Sequence, residues 1–315
     1  MVKPIDDCRF SIVDSAHGSA AVPIDNRQSK IENPEYPFAP HWLDCAGHKL
    51  HYVDEGQGAP LLCLHGNPTW SFLYRKVIAE FARTHRVVAP DHMGCGLSDK
   101  PQSYPYTLKQ HIDNAERLVD SLSLRDITLC VHDWGGAIGF GLAARRPELI
   151  KRFVVFNTAA FTSSRIPLSI SVCRIPGFGA LAIRGFNAFV RGAIARCSVK
   201  GLTRQARDGF LAPYANWHDR VANLRFVQDI PMRASHPTYA TLKAIEEALP
   251  KLDVKPMLIC WGAQDFVFND SFLEGFKSRF PAAQVHRFAD AGHFVLEDAH
   301  EEILPLMRKF IGSNA

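Results

Sequence analysis

The chain has 315 residues, 47% of them apolar, enough to bury one large core. Its net charge of +4 is too small to point to nucleic acid by itself. No run of about 18 apolar residues occurs, and MVKPIDDCRF at the start lacks a basic region followed by an apolar one, so neither a membrane span nor a signal peptide is expected.

Residues 1–40 are polar and dotted with proline, Pro34, Pro37 and Pro40 closing the stretch. They read as an N-terminal extension lying on the surface or partly disordered. From His41 short apolar runs alternate with helical patterns, the texture of βαβ units and a largely parallel sheet. Residues 42–46 and 49–54 read as an opening hairpin around Gly47, followed by buried strands at 60–64, 86–89, 127–131, 151–156, 257–261 and 284–288. Leu108, Ile112, Ala115, Leu118, Val119 and Leu122 recur at helical spacing, and Thr107 with Gln110 forms a candidate capping box for that helix.

Between Leu149 and Arg207 there is no Asp or Glu but there are ten Lys or Arg. Apolar residues alternate with those bases (ISVCRIPGFGALAIRGFNAFVRGAIAR), so residues 161–236 are expected to form a basic, apolar helical cap. Residues 41–160 and 237–315 then make the two parts of one core. The eight cysteines are scattered, without a C-x-x-C pair or metal-ligand spacing. A reduced, cytoplasmic protein with buried free thiols and no metal follows as an expectation. The glycine-rich turn at 90–99 lacks the spacing of a dinucleotide or phosphate loop, so no cofactor is expected either.

The chemistry concentrates at strand ends. Strand 127–131 runs into His132-Asp133-Trp134-Gly135-Gly136 and a small-residue helix, the strand, turn and helix of a nucleophile elbow. The first position of the usual G-x-Nu-x-G pattern is Val131, and the nucleophile position holds Asp133 in place of serine. A carboxylate attacks a saturated carbon by displacement and forms an alkyl ester. Strand 60–64 ends in His65-Gly66-Asn67-Pro68, a loop expected to aim a backbone N–H at the same space. The Asn67 amide and the Trp134 indole N–H are neutral donors suited to a leaving group that gathers negative charge. After strand 257–261 comes Asp265, and after the last strand His293. Nucleophile, acid, histidine is the triad order of the α/β-hydrolase fold, with His293 as general base on water and Asp265 orienting its ring.

These residues resemble the haloalkane dehalogenase family: HGNPTWSFLYR at His65, PDHMGCGLSDKP at Pro90, VHDWGGAIG at Val131, WGAQD at Trp261 and GHFVLED at Gly292, over about residues 41–312. HGNP with HDWGG sets this group apart from serine hydrolases. Epoxide hydrolases open the ring with lid tyrosines, and nothing marks Tyr214 and Tyr239 as such a pair. Within the family, NTAAF at Asn157, FNAF at Phe186, APYANWHDR at Ala212 and RFVQDIP at Arg225 resemble the β-lactone decarboxylases of bacterial long-chain olefin biosynthesis. The resemblance implies an α/β-hydrolase fold: an eight-stranded, mostly parallel sheet flanked by helices, with a helical cap inserted after the sixth strand. It implies conversion of cis-3-alkyl-4-alkyl β-lactones (oxetan-2-ones) to cis-alkenes and carbon dioxide, the alternative being hydrolysis of haloalkanes to alcohol and halide. The implied partners are a small apolar substrate with long alkyl chains and the other enzymes of the olefin pathway, with no nucleic acid. The basic cap adds peripheral contact with a membrane surface as a further expectation.

Overall fold

A computed structural model of the protein describes residues 31–312; the first thirty residues of the expected extension lie outside the described residues. Eight strands form one sheet: β1 (Pro40–Cys45), β2 (His48–Glu55), β3 (Pro60–Leu64), β4 (Arg86–Pro90), β5 (Ile127–Asp133), β6 (Ile150–Thr158), β7 (Met257–Gly262) and β8 (Gln284–Phe288). Their order is β1-β2-β4-β3-β5-β6-β7-β8. Only β2 runs against its neighbours; β3 to β8 are mutually parallel. Parallel strands need both faces covered, which is why β5 is buried along its whole length and reads as a continuous apolar run.

Successive side chains of β5 face opposite layers. Leu129 and Val131 join Ile112 and Ile138 on one face, while Cys130 joins Cys63, Tyr74 and Phe156 on the other. The first layer comes from α2 (Leu108–Ser121) and α3 (Trp134–Arg145), the second from α1 (Arg75–Phe81) and the C-terminal helix His300–Gly312. At the start of α2 the Thr107 hydroxyl accepts the Gln110 N–H at 3.3 Å. The Gln110 side chain donates to Asn114 rather than returning to Thr107, so only half of the expected capping box forms.

Between β6 and β7 lie short helices: α4 (Leu168–Val172), α5 (Phe178–Ala180) running into a π-helical turn Leu181–Gly185, α6 (Ala188–Arg196), α7 (Arg204–Leu211), α8 (Val221–Gln228) and α9 (Tyr239–Ala248). Ile245 of α9 belongs to the core layer over α3. The stretch just before β1 departs from the surface placement expected of it. Tyr36 is buried against Trp70 and Phe72 with its hydroxyl 2.5 Å from Ser71, because an aromatic ring with a satisfied polar tip gains more by burial than the prolines around it resist. The seven described cysteines are free. No helix among the described residues is long and apolar enough to cross a membrane.

Candidate active site

The elbow is sharp. Asp133 ends β5 with φ 52° and ψ −126°, a backbone few non-glycine residues adopt, and Trp134 opens α3 directly behind it. The turn is pinned from β6, whose Thr158 hydroxyl donates to the Asp133 carbonyl. Two glycines let the turn close. A Cβ on Gly66 would overlap the Asp133 carboxylate, and one on Gly139 would stand 2.6 Å from Val131. The second contact explains how valine replaces the usual glycine at the first position of the motif: the room is provided one helical turn later.

The Asp133 carboxylate accepts the Asn67 backbone N–H at 2.7 Å, with a second backbone N–H from Trp134. These are the amides that a serine enzyme of this fold would aim at a substrate oxygen; here they hold the Asp133 carboxylate. His293 stands behind it, Nε2 3.8 Å from Asp133 and Nδ1 2.8 Å from Asp265. Asp265 is fixed in turn by the Val267 N–H at 2.6 Å. Asn157, at the end of β6, exchanges two hydrogen bonds with Gly262, at 3.0 and 2.8 Å. The position where an acid would stand in the other placement thus ties β7 to β6, just ahead of Asp265. His132 Nε2 lies 2.9 Å from the His293 carbonyl, and Phe268 stacks on the His293 ring at 5.8 Å between centroids.

Charge in this buried cluster is unevenly placed. Burial raises the Asp133 carboxyl, against the opposing pull of His293 and the two amides. Burial works against protonation of His293, but Asp265 and Asp133 outweigh it and raise that imidazole above its usual range. His132 is pushed well below that range, by burial first and by His293 next, and stays neutral.

A cavity of about 380 Å³ opens in front of Asp133. Asn67, Asp133, Trp134 and His293 all line it, whereas Asp265 stands behind His293. Its walls are otherwise largely apolar, among them Leu108, Phe161, Ile170, Leu242 and Phe272, and among the described residues Asp133 is the only acid lining it. Arg165 and Arg196 are its cations, both on exposed positions. The Asn67 side-chain amide donates to the Asn223 carbonyl at 3.2 Å, so one of its two protons remains for the cavity. The Trp134 indole N–H has no acceptor among the described residues. Tyr214 and Tyr239 do not line the cavity; Tyr214 is buried with its hydroxyl on the Thr69 carbonyl.

All five residues singled out in the sequence therefore meet at one place. Thr158, His132, Asn223 and Phe268 were not singled out. Thr158 had a signal, its place at the end of the strand beside β5; the others touch the site only through folded neighbours. Among the described residues no group of three His, Cys, Asp or Glu could hold a metal ion.

Comparison with known proteins agrees with this fold. The family model for the alpha/beta hydrolase fold matches residues 59–300. A cis-3-alkyl-4-alkyloxetan-2-one decarboxylase from Shewanella oneidensis is 48% identical over 286 residues, 87% of this chain and 89% of that protein. Haloalkane dehalogenase 2 from Mycobacterium bovis is 32% identical over 273 residues, covering 85% of this chain and 93% of its own. Among solved structures, the haloalkane dehalogenase DatA from Agrobacterium tumefaciens C58 superposes with a TM-score of 0.79 at 26% identity, over 88% of this chain and 97% of that one.

Proposed function

The chain belongs to the alpha/beta hydrolase fold family, in the branch that holds haloalkane dehalogenases and β-lactone decarboxylases, and we propose that it converts cis-3-alkyl-4-alkyloxetan-2-ones to cis-alkenes and carbon dioxide. The observation that carries this is the 48% identity to the Shewanella decarboxylase across most of both chains. An apolar cavity whose only acid among the described residues is Asp133 suits a substrate made of two alkyl chains and a strained ring.

Asp133 attacks the ring carbon that bears the ring oxygen. The carbon–oxygen bond breaks, that carbon inverts, and the ring carboxylate leaves toward the Asn67 amide and the Trp134 indole N–H. The product is an alkyl ester of Asp133 with a carboxylate on the neighbouring carbon. When the bond to that carboxylate breaks, its electron pair forms the alkene and expels Asp133, releasing carbon dioxide. No proton and no water is consumed. Inversion followed by anti elimination returns a cis alkene from a cis lactone. Residues 161–236 act as the cap that closes the apolar cavity over the chains.

A second reading, hydrolysis of haloalkanes, is favoured by one specific feature. The 2.8 Å contact of His293 with Asp265 supports a general base acting on water, which decarboxylation does not need. Both routes share the first displacement, so Asn67 and Trp134 would receive halide as they receive carboxylate. On either route the protein works in the cytoplasm, in keeping with its free thiols. The lactone route also requires other enzymes of an olefin pathway to supply the strained ring. Purified protein offered a long-chain cis β-lactone and, separately, a bromoalkane panel separates the readings: alkene from the first supports decarboxylation, and bromide without alkene overturns it.

A further inference from the structure

Acid partners are unevenly shared among the arginines of the described residues. Outside the helices between β6 and β7 several pair with acids: Arg75 with Glu297, Arg86 with Asp54, Arg145 with Asp113, Arg279 with Glu246, Arg287 with Asp270. Within residues 161–236, Arg165, Arg174, Arg184, Arg191, Arg225 and Arg233 have no carboxylate partner among the described residues. Arg174 faces Arg233 and Arg184 faces Arg225; burial, and then this mutual repulsion, lower the affinity of Arg174 and Arg184 for their protons. An uncompensated positive field of this kind attracts an anionic surface.

The same segment carries most of the large apolar side chains left in water. Leu168 is 78% exposed, Phe186 69%, Leu181 54%, Phe178 53%, Ile175 52% and Trp217 48%. Phe178 and Leu181 are three apart on successive helical residues and share one side of that turn, with Ile175 just before it. A Cβ on Gly185 would stand 3.2 Å from Leu181 and 3.8 Å from Trp217, so the patch continues across to Trp217, whose ring carries the Arg184 guanidinium at 4.7 Å. Beneath it Ile183 packs with Leu224 and Val227, which holds the patch out as a fixed surface.

The patch borders the mouth of the cavity. Ile170 and Cys173 line the cavity while their neighbours Leu168 and Ile175 are exposed, and the exposed lining residues Arg165 and Ser169 mark its opening. We propose that this face, Leu168 to Phe186 with Trp217, docks on an anionic phospholipid bilayer and takes its substrate directly from the lipid. A second copy of the chain would set unpaired arginines against unpaired arginines. Single projecting apolar side chains interleaved with guanidinium groups suit the headgroup and acyl boundary, where each finds its own layer. The delivery half of the proposal rests on the lactone reading, since two long alkyl chains partition into a bilayer; the docking half does not.

The test is co-sedimentation of the purified full chain, without substrate, on phosphatidylcholine vesicles with and without phosphatidylglycerol. Binding is expected to the anionic vesicles and to fall steeply in high salt. Combined Phe178→Ser, Leu181→Ser and Phe186→Ser changes are expected to weaken it about 30-fold or more. Arg225→Gln with Arg233→Gln should weaken it by about 5-fold for each charge removed. All variants should keep wild-type turnover of a short-chain substrate delivered from solution, and lose it only with substrate held in vesicles. Failure of the wild type to sediment, or equal sedimentation of wild type and apolar variant, overturns the docking surface. So does a wild-type dimer in light scattering that the Ser variant splits, which would assign the patch to a second copy. A failed lactone assay with intact vesicle binding would overturn the substrate and leave the surface standing.

Discussion

Replacing Asn67 by alanine separates leaving-group stabilisation from the rest of the site. The backbone N–H of Asn67, which holds Asp133 at 2.7 Å, survives the change, so the nucleophile keeps its position. The side chain gives one hydrogen bond to the Asn223 carbonyl at 3.2 Å, while its own Oδ1 is buried without a partner. Losing that bond costs about 1 kcal/mol, and removing a buried unpaired acceptor offsets 1 kcal/mol or more, so folding stability should stay within about 1 kcal/mol of wild type. In a largely apolar cavity, losing one donor to a developing anion costs about 100- to 1000-fold in rate, roughly 2.7–4 kcal/mol. The assay is single-turnover formation of the Asp133 ester, read as the bromide burst from a bromoalkane and as alkene release from the lactone. Thermal unfolding should move by no more than a few degrees, roughly what 1 kcal/mol shifts in a chain of this size. Ester formation within about 3-fold of wild type, with unfolding unchanged, would refute a leaving-group role for the Asn67 amide.

Asp133→Asn removes the proposed nucleophile and should abolish both activities, by about 10⁴-fold or more, with the fold intact by circular dichroism; normal turnover would remove the claim. His293→Ala should accumulate the halide-derived ester, visible by intact mass as the added alkyl group, and clean turnover without accumulation would argue against its role as base. The same variant should still make alkene from the lactone, because that route moves no proton. The pH profiles should differ in the same sense. Burial raises Asp133, so ester formation should fall in acid at a pH above the ordinary carboxylate range near 3.9. Burial lowers His293, but Asp265 and Asp133 together raise it, and Asp265 remains once Asp133 is esterified. Ester hydrolysis needs the neutral ring, so it should fall as pH drops through a value above about 6.5. Between the two limbs, wild-type protein should accumulate ester from a bromoalkane in rapid quench.

Much of this site is local in sequence, which is why it could be read there. Elbow, loop and triad partners each sit at the end of an apolar strand, and a parallel sheet gathers the ends of adjacent strands on one edge. Asp133 after β5, Asn67 after β3, Asp265 after β7 and His293 after β8 meet for that reason. What the sequence did not disclose depends on contact between distant segments. Thr158 supports Asp133 only because β5 and β6 pair there, and Asn67 gives one proton to Asn223 only because α8 packs over the loop. The spacing of Gln110 fits a capping box, yet its side chain turns to Asn114, a neighbour one helical turn on. Tyr36 lay in a proline-dotted stretch whose composition hid one ring that fits between Trp70 and Phe72. The acid-free run of bases was visible from the start. That arginines such as Arg165, Arg174, Arg184 and Arg191 lack a carboxylate partner, while Arg75, Arg86 and Arg145 have one, needed the side chains in place.

The central claim is that Asp133 opens the lactone and is expelled again with the carbon dioxide. Purified protein given a long-chain cis-3-alkyl-4-alkyloxetan-2-one in ¹⁸O-labelled water, with alkene geometry and label both read by mass spectrometry and gas chromatography, tests it most directly. The expected result is cis alkene alone, with no hydroxy acid and no label entering Asp133 over many turnovers. Trans alkene, a labelled hydroxy acid, or label in Asp133 that keeps pace with turnover would contradict it.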